Sequence, residues 1–150
     1  KRLREWHRRL RPQPPAFPSW RGPVPTKGEV LQRARFAIAF ENVRGSRGYL
    51  TEKIFDCFVH GCVPVYLGTP GAAAAFPSDC LVDADRFADD AALLAHLRAI
   101  DAPRFAAMQA AIAVFLRSSA AQRFSREYFA RTLVAGIAAD QGLTPLAPAA

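Results

Sequence analysis

Phe36 to Gly68 reads FAIAFENVRGSRGYLTEKIFDCFVHGCVPVYLG, and this stretch decides the fold. Phe36-Ala37-Ile38-Ala39-Phe40 is an apolar run of strand length, ended by the polar pair Glu41-Asn42. A loop with glycines and arginines follows, and Thr51-Glu52-Lys53 opens an amphipathic segment that stops at Gly61. Val63-Pro64-Val65-Tyr66-Leu67 is a second strand, closed by Gly68. Strand, loop, helix and strand in this order give an open α/β fold. Ligands of open α/β sheets sit outside the carboxyl ends of the strands, so the loop after Phe40 is expected to hold something polar and anionic.

The 150 residues suit one domain with a single core, and 51% hydrophobic with 22% charged residues is ordinary for a globular chain. No apolar run reaches the roughly 18 residues of a membrane span. The charged N-terminus has no hydrophobic region behind it, so no signal peptide is read there. The chain starts with lysine, and further sequence upstream is expected.

The net charge of +7 is concentrated. Lys1, Arg2, Arg4, Arg8, Arg9 and Arg11 against Glu5 contribute +5 of it within residues 1–11. This run reads as a solvated helix or linker, with peripheral contact to anionic lipid or to an acidic partner as the sharper account. Zinc-finger spacing, an aromatic RNA-binding motif and a basic zipper are all missing, so nucleic acid is not an expected partner.

Cys57, Cys62 and Cys80 are an odd count without paired spacing and read as buried small hydrophobes. Cys57–Cys62 or Cys62–Cys80 bridges remain open for an oxidising compartment. His7, His60 and His96 make no metal-ligand spacing with them, so no metal site is expected.

Six prolines between Pro12 and Pro25 extend the chain, making residues 1–25 a basic, Pro-rich linker with Trp20 as its packing anchor. Residues 26–142 form the ligand-binding domain and residues 143–150 a loose tail. Thr26 is placed to cap a short helix through about Arg33. Four alanines after Gly71 make one helical turn, and Cys80-Leu81-Val82-Asp83 is a short strand. Asp89-Asp90 caps a helix with Leu93, Leu94, Leu97 and Ile100 at core spacing. Pro103 starts the next, with Phe105, Met108, Ile112, Phe115 and Leu116 as its stripe, and a last helix spans about Ala121 to Ala139.

At the loop-to-helix junction, Thr51 is placed as N-cap, with Glu52 and Lys53 on the first turn. A lysine there opposes the helix dipole at a cost of up to about 1 kcal/mol, and a bound anion would remove that cost. A merely solvated Lys53 is the plainer account. Tyr49 adds a phenol donor, Asn42 an amide at the strand end, and Gly45 and Gly48 allow close backbone approach. Arg44 and Arg47 are within reach of an anion, and Glu41 suits a loop amide. No Walker loop, GxGxxG fingerprint or GxSxG elbow is present. The residues by themselves thus lead to a phosphate-bearing ligand on an α/β domain.

These residues resemble the signature of the α1,3/α1,4-fucosyltransferases, in which a Phe-Glu-Asn element precedes a Tyr-x-Thr-Glu-Lys element. Trp20-Arg21-Gly22-Pro23-Val24, Lys27, Val30-Leu31, Phe76-Pro77, Cys80-Leu81-Val82-Asp83 and Phe87 are also similar to the family, so the likeness runs over about residues 20–100. It implies the C-terminal, donor-binding half of a GT-B glycosyltransferase, an α/β domain with a Rossmann-like parallel sheet flanked by helices, that moves L-fucose from GDP-fucose to an acceptor hydroxyl with inversion. Lys53 would balance charge on the diphosphate leaving group. Asn42 and Tyr49 would bind its phosphate or ribose region. Glu52 would contact the donor sugar or ribose and stabilise oxocarbenium-like charge. GDP-fucose is then the donor substrate, and no cofactor or metal is required.

The family's general base and a further diphosphate-binding arginine belong upstream and have no counterpart here. The acceptor oligosaccharide would be met through an N-terminal domain outside this chain, which alone is expected to be inactive. Gly71 and four alanines stand where the family commonly has a polar residue. The alternatives are a stand-alone sugar-nucleotide-binding module, a glycosyltransferase with another donor, or a basic interaction domain using residues 1–11. The likeness fits a cytoplasmic, membrane-associated bacterial enzyme, with the Golgi lumen as the other setting.

Overall fold

Phe36–Phe40 forms β1 and Val63–Leu67 forms β2, with the bounds that the apolar runs mark. The structure, a computed structural model, describes residues 22–44, 46 and 48–143. The linker and tail assignments for residues 1–21 and 144–150, with Trp20, Gly45 and Arg47, fall outside the described residues. Helix α1 (Lys27–Leu31) precedes β1, and Thr26 caps it by accepting from the Glu29 amide. Helix α2 (Lys53–Val59) lies between β1 and β2 and buries Ile54, Cys57 and Phe58.

The sheet has order β1-β2-β3, all parallel, where β3 is Val82–Asp83. Only half of the expected Cys80–Asp83 strand pairs, because Ser78–Cys80 turns as a 3-10 segment first. Register sets two rows of side chains. Ala39, Tyr66 and Asp83 lie abreast on one face, and Ile38, Val65 and Val82 abreast on the other. Ala39, Val65 and Tyr66 are buried, whereas Ile38 is 75% exposed. Buried Val, Ile and Phe side chains contribute about 1.5–3 kcal/mol each.

Helix α3 (Asp90–Ala99) is capped by Asp89 and α4 (Ala102–Leu116) by Asp101, with Pro103 in the first turn of α4. In α4, Met108, Ile112 and Phe115 enter the core while Phe105 and Leu116 pack at its margin. In α3 only part of the expected stripe is covered: Leu93 and Leu97 pack on the core, but Leu94 stays exposed. The last helix divides into α5 (Ser119–Gln122) and α6 (Arg126–Asp140), because Ser118 and Ser125 each cap a fresh start. Phe58, Phe76, Phe115 and Phe124 gather under α2, with Phe76 and Phe124 stacked at 5.5 Å. Cys57, Cys62 and Cys80 are buried free thiols, so neither bridge is formed.

Candidate site at the carboxyl ends of the strands

Glu41 follows β1 and extends its ladder, its amide donating to the Leu67 carbonyl at 2.7 Å. Side chains 37, 39 and 41 alternate onto one face, which turns the Glu41 carboxylate inward. Its side chain is wholly shielded from solvent. It accepts from the Thr51 amide at 2.8 Å, from Thr51 Oγ1 at 2.7 Å and from Lys53 Nζ at 3.2 Å. Burial is the largest single influence on this carboxyl and pushes its pKa up. The bonds from Thr51 and Lys53 together outweigh it and hold the group below the usual glutamate value. Glu41 is therefore the partner of a loop amide, as its place in the sequence implied, and also the counter-ion of Lys53.

Two local expectations change as a result. Thr51 does not cap α2, since its hydroxyl is committed to Glu41; Glu52 stands at the N-cap, in helical backbone and without a side-chain capping bond. The dipole cost of Lys53 is already offset by an internal carboxylate. Its ammonium also lies 3.3 Å from Thr51 Oγ1 and stays partly open to solvent.

The other expected site residues are more dispersed. Asn42 is exposed and Tyr49 half-buried. Glu52 points outward, its exposed carboxylate 3.7 Å from Lys27, which also bonds Asp56 at 3.0 Å. Arg44 pairs with Asp85 across the strand ends. Thr69 ties the two loops at this edge by donating to the Ser46 carbonyl at 2.8 Å. Between these loops lies a cavity of about 440 Å³, lined by Gly48, Leu50, Thr69, Gly71, Ala72 and Phe124 among others. Among the described residues, no three His, Cys, Asp or Glu side chains are grouped to hold a metal ion.

Tyr66 was not singled out by sequence reasoning. It is 1% exposed, burial raises its pKa, and its hydroxyl has no hydrogen-bond partner among the described residues. The signal was there to be found, as a tyrosine in a strand of otherwise small apolar residues, two positions before a glycine. A Cβ on Gly68 would stand 2.2 Å from the Tyr66 oxygen, so the phenol needs that glycine.

A parallel sheet with a cavity and a half-buried, charge-compensated lysine at its carboxyl edge defines an α/β domain of the Rossmann-like kind. The chain belongs to glycosyltransferase family 10, the fucosyltransferases: residues 16–109 match the model of that family's C-terminal region. Alpha-(1,3)-fucosyltransferase FucT of Helicobacter pylori is 38% identical over 64 residues, 43% of this chain and 13% of that protein. Alpha-(1,3)-fucosyltransferase 7 of Homo sapiens is 38% identical over 85 residues, 55% of this chain and 23% of that protein. A crystal structure of an alpha1,3-fucosyltransferase with GDP-fucose superposes with a TM-score of 0.53 at 28% identity, over 57% of this chain and 26% of that one. The same match holds for a structure with GDP. The chain thus spans about a quarter or less of the length of these relatives.

Proposed function

We propose that this chain is the donor-binding part of a fucosyltransferase, taking GDP-fucose at the carboxyl ends of β1 and β2. The observation that carries the reading is the Lys53 ammonium. It is anchored at that edge by a buried carboxylate, on the chain segment whose preceding residues Gly48 and Leu50 line the 440 Å³ cavity. A cation held in this way is oriented before any ligand arrives, and orientation lowers the entropic cost of binding. Family membership and the GDP and GDP-fucose complexes of similar structures support the choice of ligand.

In this reading Lys53 meets the diphosphate and balances the charge that grows on it as the glycosidic bond to GDP breaks. Asn42 and Tyr49 lie on the flanking loop and bind the phosphate or ribose region. Glu52, free of any capping bond, exchanges Lys27 for the donor sugar or ribose and stabilises positive charge at the anomeric carbon. Transfer is a direct displacement with inversion. The base that deprotonates the acceptor hydroxyl comes from outside this chain, with the acceptor oligosaccharide. No divalent ion enters the scheme. A cytoplasmic setting with membrane contact through residues 1–11 belongs to the same proposal, with the Golgi lumen as the alternative.

Calorimetry with GDP tests it. Lys53→Ala is expected to weaken GDP binding by about 10- to 100-fold, the worth of one charge-assisted contact. Undiminished binding in that variant, or none by the unaltered chain, overturns the proposal.

A further inference from the structure

Tyr66 holds a buried hydroxyl without a hydrogen-bond partner among the described residues, a state that costs free energy in a folded chain. Tyr66 sits abreast of Ala39 in the ladder, on the sheet face that Glu41 also shares. Its ring runs along the sheet toward Gly68, and its oxygen lies where a Gly68 side chain would begin. One step past the last ladder pair, Phe40 with Leu67, Gly68 stands beside Glu41, whose amide bonds the Leu67 carbonyl. The phenol oxygen therefore lies at the ladder level of Glu41, on the face that its side chain shares. The charge of Glu41 is one of the influences that raise the pKa of Tyr66, after burial.

The Glu41 carboxylate accepts three bonds, from the Thr51 amide, the Thr51 hydroxyl and Lys53. A carboxylate offers about four lone-pair positions, so one remains. A buried carboxylate that loses its cation without gaining a donor is strongly disfavoured. That would pin Lys53 to Glu41 and oppose its use on any ligand.

We infer that Tyr66 is a positioning residue for Lys53: its hydroxyl is the reserve donor that Glu41 takes up when the ammonium turns toward an anionic ligand at the strand ends. This rests on the donor-site reading above. Only hydrogen-bond partners exchange. The Lys53 ammonium and the Tyr66 phenol keep their protons, and Glu41 stays ionised throughout. The glycine at 68 is what gives the phenol room to reach its new partner.

The test uses the whole chain with its three tyrosines labelled at Cζ, read by carbon NMR, with the Tyr66 signal assigned by its loss in Tyr66→Phe. Saturating GDP is expected to displace the Tyr66 signal. Lys53→Met without any ligand is expected to displace it in the same direction, because the cation is gone. Tyr66→Phe keeps the ring and its packing, and is expected to weaken GDP binding about 10- to 100-fold, the worth of one hydrogen bond to a charged acceptor. A Tyr66 signal identical in Lys53→Met and the unaltered chain overturns the inference, whether or not GDP binds. Failure of the unaltered chain to bind GDP overturns the donor reading instead, and the Lys53→Met comparison then decides the exchange.

Discussion

The ammonium of Lys53 stands 3.2 Å from the solvent-shielded carboxylate of Glu41, twelve residues upstream at the end of β1. This pair joins the first strand to the first turn of α2. It converts a lysine that is unfavourable in local terms into a fixed cation at the carboxyl edge of the sheet.

Glu41→Gln keeps the shape but removes the charge that holds Thr51 and Lys53. A stability loss of about 1–3 kcal/mol is expected from urea unfolding, less than for a fully buried pair because Lys53 retains access to water. A change within 0.5 kcal/mol would show that the pair is energetically idle.

Acid should weaken the fold through the same group. The folded-state pKa of Glu41 lies below its unfolded value near 4.5, so at low pH the unfolded chain binds more protons. The contribution of Glu41 is full above pH 4.5 and declines as pH falls through its depressed folded value. Urea titrations between pH 3 and 6 should show this decline in the unaltered chain, and a shallower one in Glu41→Gln.

Gly68→Ala should destabilise through space rather than backbone strain. The added methyl meets the Tyr66 oxygen at 2.2 Å and the adjoining ring carbon at 2.6 Å. Overpacking of this kind costs about 1–3 kcal/mol. Because the ring carbon also clashes, Tyr66→Phe in the same chain should recover only part of the loss in thermal midpoint.

The three cysteines should be silent toward thiol reagents in the native state. Burial pushes the Cys80 thiol up to about 11, with Asp79 adding to it, and the Cys57 thiol is raised by its bond with Cys62 and by burial. The same bond lowers the pKa of Cys62, and there it is complete burial that keeps a reagent out. Only the thiolate reacts. At pH 8, titration should find no rapidly reacting thiol before unfolding and three after it. A fast native reaction at any one of them would contradict its burial in the core.

Much of the local structure was legible in the chain. The two apolar runs bounded by Glu41 and by Gly61 and Gly68 mark β1 and β2 to the residue, because parallel buried strands read as continuous apolar segments. Thr26 and Asp89 cap the helices that follow them, as short polar side chains do when no other partner competes. Thr51 has the same chemistry and does not cap, because Glu41 competes for its hydroxyl. The division between α5 and α6 was missed: Ala121 to Ala139 reads as one helical run, and the cap at Ser125 was given no weight.

The βαβ order and the candidates Asn42, Tyr49 and Lys53 follow from residue type and spacing, which local periodicity and side-chain chemistry encode directly, while the family and the role of Glu52 are read from resemblance. Which of those side chains share a partner does not. The inward turn of Glu41, the capture of Thr51 and Lys53 and the Tyr66 hydroxyl over Gly68 arose from parallel register between β1 and β2, and the outward placement of Glu52 on Lys27 from the packing of α1 beside α2. Register places side chains from distant segments within hydrogen-bond range, and burial then decides which polar groups must satisfy one another.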